Sequence, residues 1–155
     1  MDGEVAVISQ GSGLIVMTVA SWLGAMLLTG LMSAHYRVSG LYRNGLIEES
    51  KLGPVLRDYV QDDRRFQVTI GTLYLLLTVL GAFGWGQILG RMWGPTWGVS
   101  FHATYAVTAV LGWSLGGLVF KMLAADTALN YARFVGAIVF PFNWLFRPWS
   151  SLMLA

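Results

Sequence analysis

The sequence predicts an all-α integral membrane protein with three transmembrane helices and additional amphipathic juxtamembrane helices. The 155-residue chain is 55% hydrophobic and only 12% charged, which is about half the charged share of an ordinary soluble domain. Residues 5–36, 66–90 and 92–120 contain no Asp, Glu, Lys or Arg. Each of these windows is longer than the stretch of about 20 residues that crosses a bilayer as a helix. This composition excludes a disordered or nucleic-acid-binding protein.

Three segments are predicted to span the membrane within a single domain that covers residues 1–155. The spans cover about residues 14–34, 66–89 and 101–120. Aromatic and basic side chains at headgroup depth are typical of the flanks of such spans. The predicted interfacial anchors are Trp93, Trp97, Trp144, Trp149 and Lys121.

The two polar segments are predicted to lie at the membrane surface or against the bundle. In the cytoplasmic linker, residues 37–65, apolar residues recur at i, i+3, i+4, i+7 and i+8 over residues 52–60, which is typical of a helix with one apolar face. The longest uncharged stretch of the tail, residues 124–155, covers only 134–146, which is too short to span. A fourth span would bury Arg147, so an interfacial tail is preferred.

Lys and Arg are distributed unequally between the two sides of the predicted membrane. The arm before the first span has none and the second loop has only Arg91, whereas the linker has six and the segment after the third span has three, Lys121, Arg133 and Arg147. Because basic residues concentrate on the cytoplasmic side, the N-terminus is predicted outside and the tail inside a bacterial inner, or cytoplasmic, membrane. The start, Met1 to Glu4, is acidic where a secretory signal would be basic, so the first span is predicted to be retained.

Small and hydroxyl-bearing residues recur along one face of the first and third spans. Their spacing of three or four residues places them on one side of a helix, where they allow neighbouring backbones to approach closely. The predicted packing residues are Thr18, Ser21, Ala25, Thr29 and Ser33 in the first span and Thr104, Thr108, Gly112 and Gly116 in the third. A hydroxyl-lined cation path is the less favoured alternative, because the predicted spans contain no Asp or Glu.

The two histidines are the candidate ligands for a pigment, a haem or a metal. His35 is expected at the cytoplasmic end of the first span and His102 at the outer end of the third. They are therefore separated by the hydrocarbon core, roughly 30 Å, and cannot ligate one haem from both sides. Interfacial anchoring is the preferred interpretation of both. No acid is expected to converge with a histidine and a serine as a catalytic set, and the chain has no Cys, so it is predicted not to be an enzyme.

Four short segments, taken in order, carry a resemblance that covers nearly the whole chain. They are GLMSAHY (30–36) followed by LYR (41–43), DRRF (63–66) followed by TIGT (69–72), LGGLVFK (115–121) and FPFNWL (140–145). Together they resemble the transmembrane domain of the CNNM/CorC family of magnesium-transport proteins. The resemblance implies three spans, a charged cytoplasmic segment after the first span, and an amphipathic tail.

The resemblance also implies that the family's ion site is degenerate here. The residues that match the family pattern best are Ser33, Gly71, Gly116 and Lys121. Gly117 occurs where the family has a glutamate, and Phe120 occurs where it has a proline. Thr72 replaces an asparagine, and His35-Tyr36 replaces a Ser-Glu pair. Since a magnesium ion prefers oxygen ligands that include carboxylate, the magnesium site and the nucleotide-binding CBS domains of the family are expected to be missing.

These features predict an accessory or scaffold subunit that acts through helix–helix, lipid or pigment contacts in a larger membrane complex. Its expected partners are membrane lipids and other transmembrane helices, in a hetero-complex or a homodimer, and not nucleic acid. The alternative is a dimeric divalent-cation (Mg²⁺) transporter or channel. The residues of that ion path are Ser21, Ser33, Thr69 and Thr72. The sequence assigns no definite cofactor, and Mg²⁺ and a pigment are the two candidates.

Overall fold

The computed structural model describes residues 2–93 and 98–154, and all regular elements within these ranges are helices. This confirms the predicted all-α class. The elements are α1 (Asp2–Arg43), a short 3₁₀ helix (Glu49–Lys51), α2 (Gly53–Gln61), α3 (Asp63–Trp93), α4 (Val99–Asp126), α5 (Ala128–Leu145) and α6 (Arg147–Leu154).

Three helices are long and apolar enough to cross a membrane, over Ser12–Arg43, Asp63–Trp93 and Val99–Asp126. Each extends beyond the charge-free window from which it was predicted, because charged side chains continue the helix and carry their charge towards the headgroups. The first of these segments has 32 residues and is roughly 48 Å long at the rise of an α-helix. It therefore reaches past a hydrocarbon core of about 30 Å.

Helix α1 is the centre of the bundle, and α3, α4 and α5 all pack against it. The largest group of buried apolar side chains lies near the linker, where α1, α2, α3 and α5 meet. Its fully buried members include Leu31, Val38, Leu52, Leu56, Phe66 and Ile70. The opposite half of the bundle has much less buried apolar surface, and its outward side chains are exposed.

Helix α2 is the amphipathic helix that the spacing of apolar residues in the linker predicted. Its apolar residues Leu56, Tyr59 and Val60 are buried, whereas Arg57 and Asp58 are exposed. The helix packs on α5 and α3, so its apolar face is covered by the bundle. Asp62 then begins the next helix, because its Oδ1 accepts a hydrogen bond from the Arg65 backbone N–H at 3.1 Å, as an N-cap does.

The tail forms two helices, and the first of them belongs to the bundle core. Ala132, Val135 and Val139 of α5 are buried. Tyr131 of the same helix donates its hydroxyl hydrogen to the Leu27 carbonyl of α1 at 3.0 Å. The interfacial position of the tail stays a prediction, and within the chain the small and branched residues of α5 pack it against α1 and α2.

Candidate functional site

Trp22 of α1 lies between α3 and α4 in the middle of the bundle. Its ring centroid is 5.5 Å from that of Trp85 and 6.3 Å from that of Trp113. A Cβ atom at Gly81 would overlap the Trp22 indole, and one at Gly112 would come within 3.2 Å of it. The two glycines therefore provide the space that the large Trp22 side chain occupies.

The same arrangement recurs one helical turn to either side of Trp22. A Cβ atom at Gly84 would overlap Thr18, and one at Gly116 would overlap Met26. Side chains four residues apart on α1 thus face glycines of α3 and α4 along one continuous contact. We call this contact the glycine seam. It consists of Thr18, Trp22 and Met26 on α1, Gly81 and Gly84 on α3, and Gly112 and Gly116 on α4.

The predicted packing residues lie partly in this seam and partly beside it. Thr18, Ser21 and Ala25 are buried. The half-buried ones are Thr29, Ser33, Thr104, Thr108, Gly112 and Gly116. The sequence interpretation missed the roles of Trp22 and Met26, because it expected small residues to face each other across the helix contacts. In the structure, small residues of α3 and α4 face large residues of α1.

Hydrogen bonds between side chains join α3 to α4 beside the seam. The indole N–H of Trp85 donates to Thr108 Oγ1 at 2.9 Å. The indole N–H of Trp113 donates to the Tyr74 hydroxyl at 2.7 Å. Since lipid offers these donors no acceptor, the two bonds fix the relative rotation of the helices.

Replacing Tyr74 with phenylalanine should lower the free energy of unfolding by about 1 kcal/mol, because it leaves the Trp113 indole donor without an acceptor. Thermal unfolding in detergent measures this change. The matched control is Tyr36→Phe, since the Tyr36 side chain is exposed on α1, and it should leave stability within about 0.5 kcal/mol of the wild type. Equal stability of the two variants would contradict the assigned bond.

A second polar cluster surrounds His35 near the linker end of α1. The His35 side chain is 0% exposed, and its Nε2–H donates to Asp63 Oδ1 at 2.8 Å. Ser39 Oγ lies 3.3 Å from the same nitrogen, and the imidazole stacks on Phe66 with ring centroids 3.8 Å apart. The Asp63 carboxylate also lies 3.7 Å from the guanidinium of Arg43.

This cluster corrects two expectations for His35. It is not an interfacial anchor, because α1 continues to Arg43 and α3 begins beside it, so that the imidazole is enclosed. An acid and a serine also converge on it, which the sequence did not predict. Both contact Nε2, whereas a catalytic triad uses one imidazole nitrogen for the acid and the other for the nucleophile. The geometry is therefore that of a structural hydrogen-bond network.

The two candidate ligand histidines lie far apart in the described part of the chain, on α1 and α4. No group of three or more His, Asp or Glu side chains that could hold a metal ion occurs there. His35 is enclosed and bonded to Asp63, while His102 is exposed near the beginning of α4. Thus the two histidines have different environments, and only His102 faces the outside of the bundle.

The residues of the alternative ion path are spread along the bundle. Thr69 and Ser21 are buried, whereas Ser33 and Thr72 are half-buried. Ser21 and Ser33 are twelve residues apart on α1, which corresponds to roughly 18 Å along the helix. They cannot therefore ligate the same ion.

The predicted interfacial anchors are exposed where the structure describes them. These residues are Trp93, Lys121, Trp144 and Trp149. Trp97 lies outside the described residues. Exposed aromatic and lysine side chains at helix ends are suited to the headgroup region.

The outward surfaces of α3 and α4 differ in side-chain size. On α3 the exposed side chains are large, namely Leu75, Leu76, Val79, Leu80 and Phe83. On α4 the large exposed side chains Val107, Leu111 and Leu115 flank a strip that contains three small residues and one valine, namely Ala103, Ala106, Ser114 and Val110. With 3.6 residues per turn, these four lie within a sector of about 80°. We call this strip the α4 small-residue strip.

Comparisons with protein-family models, with curated proteins and with solved structures found no match to this chain.

Proposed function

We propose that the protein is an accessory or scaffold subunit of a larger membrane complex, and that a partner helix packs on the α4 small-residue strip. The observation that carries this proposal is the exposure of α4. No residue in the most apolar stretch of this helix is fully buried by the rest of the chain. Helix α4 thus contacts the bundle with one face and leaves its other faces open to lipid or to another helix.

The composition of the strip favours a helix over lipid as its neighbour. Small residues at three- and four-residue spacing allow a second backbone to approach closely, and a hydroxyl group bonds across such a contact. Ser114 places a hydroxyl near the middle of α4, where lipid tails offer it no polar partner. The large exposed side chains of α3 are, by contrast, what a lipid-facing surface requires.

Replacing Ala106 with leucine should weaken the complex at least about tenfold, because the larger side chain separates the two backbones at the strip. The measurement is the mass and stoichiometry of the assembly after gentle detergent extraction from its own membrane. The matched control is Val119→Phe, which adds four carbon atoms, against three in Ala106→Leu, on another exposed sector of α4. That variant should retain the complex.

A wild-type chain that leaves the membrane without partner subunits would contradict the scaffold role. Equal loss of the complex in Ala106→Leu and Val119→Phe would contradict the assigned strip. Photo-crosslinking from position 106 and, as a reference, from position 80 on the outer face of α3 provides an independent readout. Adducts should form with protein from position 106 and with lipid from position 80.

The second candidate is a divalent-cation carrier with a CNNM/CorC-like arrangement. It is supported by the order of elements, since three spans occur with an amphipathic charged segment after the first. The Asp63 carboxylate is already bonded to His35, which disfavours it as a ligand. Magnesium uptake by liposomes that contain the purified chain, abolished by Ser33→Ala, would replace the scaffold proposal with this one.

A further inference from the structure

Helix α5 has apolar side chains on two different faces. One face packs on α1 and α2 with buried Val135 and Val139. The other carries Phe134, Ile138 and Leu145, which are 70%, 53% and 60% exposed. With 3.6 residues per turn, these three side chains lie within a sector of about 40°. We call this second face the α5 outer face.

The exposed side of α5 lacks the charged side chains that an outward helix face carries in water. Arg133 is the only charged residue of this helix. Phe140, Phe142 and Trp144 are exposed in addition to the α5 outer face. A continuous apolar surface of this kind marks a contact with lipid or with another protein, so the face requires a neighbour outside the chain.

The contact between α1 and α4 shows at which depth α5 begins. Beyond the glycine seam, a Cβ atom at Gly30 would come within 2.9 Å of the Phe120 carbonyl oxygen. The next residue of α4, Lys121, is exposed and is the first charged residue after a long uncharged stretch. Because a lysine extends its ammonium towards the headgroups, the hydrocarbon layer ends close to the depth of this contact.

Tyr131 of α5 reaches the hydrocarbon side of that boundary. Its hydroxyl donates to the Leu27 carbonyl at 3.0 Å, and a Cβ atom at Gly30 would overlap it. Leu27 precedes Arg37 by ten residues, which is roughly 15 Å along α1. The first turns of α5 therefore lie beside the last apolar turns of α1, at the edge of the hydrocarbon layer.

The other end of α5 lies beside the charged linker. A Cβ atom at Gly136 would come within 3.8 Å of Val55 and Tyr59 of α2. Trp144 shares a cleft with Asp62 at the beginning of α3, and an exposed tryptophan at the end of a span suits the headgroup layer. Helix α5 thus runs from the edge of the hydrocarbon layer towards the headgroups of the leaflet on the linker side.

The size of the side chains favours lipid over a partner helix at this face. Helices that pack closely in a membrane use small residues at their contact, as in the α4 small-residue strip. Phe134, Ile138 and Leu145 instead resemble the large exposed side chains of α3. Arg133 points about 100° away from Phe134 around the helix, and its long side chain can reach the headgroups.

We propose that the α5 outer face contacts the acyl chains of the leaflet on the linker side. Helix α5 is embedded in that leaflet without crossing the bilayer, and it separates α2 from the lipid. The contact requires no partner subunit, so this proposal is independent of the scaffold role.

Site-directed spin labelling of the purified full chain in phosphatidylcholine liposomes tests this contact. The chain has no Cys, so Phe134→Cys, Ile138→Cys and Leu145→Cys each carry a single nitroxide. Power saturation measures collisions with oxygen, which concentrates in hydrocarbon, and with a nickel chelate, which stays in water. Nickel collisions should be at least about tenfold rarer than at Asp58→Cys, because hydrocarbon excludes polar solutes. Asp58 is exposed on α2.

A second reference position gives the signal of the bilayer interior. Leu80 is exposed on α3 and lies far from both ends of its span. The ratio of oxygen to nickel collisions on the α5 outer face should lie between those of Leu80→Cys and Asp58→Cys. Because the three labelled positions are exposed, their variants should unfold in detergent at the wild-type temperature. A lower temperature for all three would show that these side chains pack within the chain and would overturn the proposal.

Three results of the collision measurement would also overturn the proposal. Nickel collisions as frequent as at Asp58→Cys would show that the α5 outer face lies in water. Rare collisions with both reagents would show that protein covers it, which in these liposomes is a second copy of the chain. A ratio at Ile138→Cys equal to that of Leu80→Cys would show that α5 enters the bilayer centre.

Discussion

Replacing Gly81 with alanine should lower the free energy of unfolding by about 1–3 kcal/mol, the usual cost of overpacking a close contact. The added methyl group would overlap the Trp22 indole, which is confined by Trp85 and Trp113 on its other sides. A shift of the ring away from the methyl group would disturb its contacts with both of these rings. Thermal or denaturant unfolding in detergent measures the loss.

Gly71→Ala is the matched control, because it makes the same change in the same helix. No atom lies within 4 Å of a Cβ atom built at Gly71, and alanine favours a helix over glycine. Its stability should be unchanged or slightly higher. Combining Gly81→Ala with Trp22→Leu should cost less than the two single changes added together, since the smaller side chain leaves room for the methyl group. Strict additivity would contradict the seam.

Replacing Asp63 with alanine should destabilise the protein by about 1–3 kcal/mol, because it deprives the fully buried His35 imidazole of its carboxylate partner. Asp63 is 31% exposed on its side chain, so the larger cost of breaking a completely buried ion pair is not expected. The free energy of unfolding in detergent at neutral pH is the quantity to compare.

Asp126→Ala is the control for removing an acidic side chain outside the His35 cluster, because Asp126 is exposed at the end of α4. It should change stability by less than about 0.5 kcal/mol. His35→Leu added to Asp63→Ala should recover part of the loss, since it removes the buried imidazole that the first change leaves without its carboxylate partner. A double variant less stable than either single variant would exclude the proposed pairing.

Periodicity and charge predicted the elements well and their contacts poorly. The charge-free windows located the three spans, and the spacing of Leu52, Leu56 and Tyr59 predicted α2. A stripe of small residues identifies the contact face of one helix, but it does not identify the side chains of the neighbouring helix that pack against that face. The placement of Trp22 against Gly81 therefore could not be predicted from either helix alone.

The polar clusters were harder to predict because their members are distant in sequence. His35 and Asp63 are 28 residues apart, and their pairing depends on how the linker returns to α1. Tyr59 was predicted only as part of an apolar face. Its hydroxyl is enclosed without a hydrogen-bond partner among the described residues, because α2 packs on α3 and α5 in a way that sequence spacing does not specify.

The uneven distribution of buried side chains has a consequence for how the molecule fluctuates. Local opening is governed by the number of apolar contacts that a segment must break, and most of these contacts are concentrated near the linker. The far ends of α3 and α4, beyond the glycine seam, are held by fewer of them. The molecule should therefore fray from that end, with backbone amides around Phe66 and Ile70 exchanging their hydrogens last.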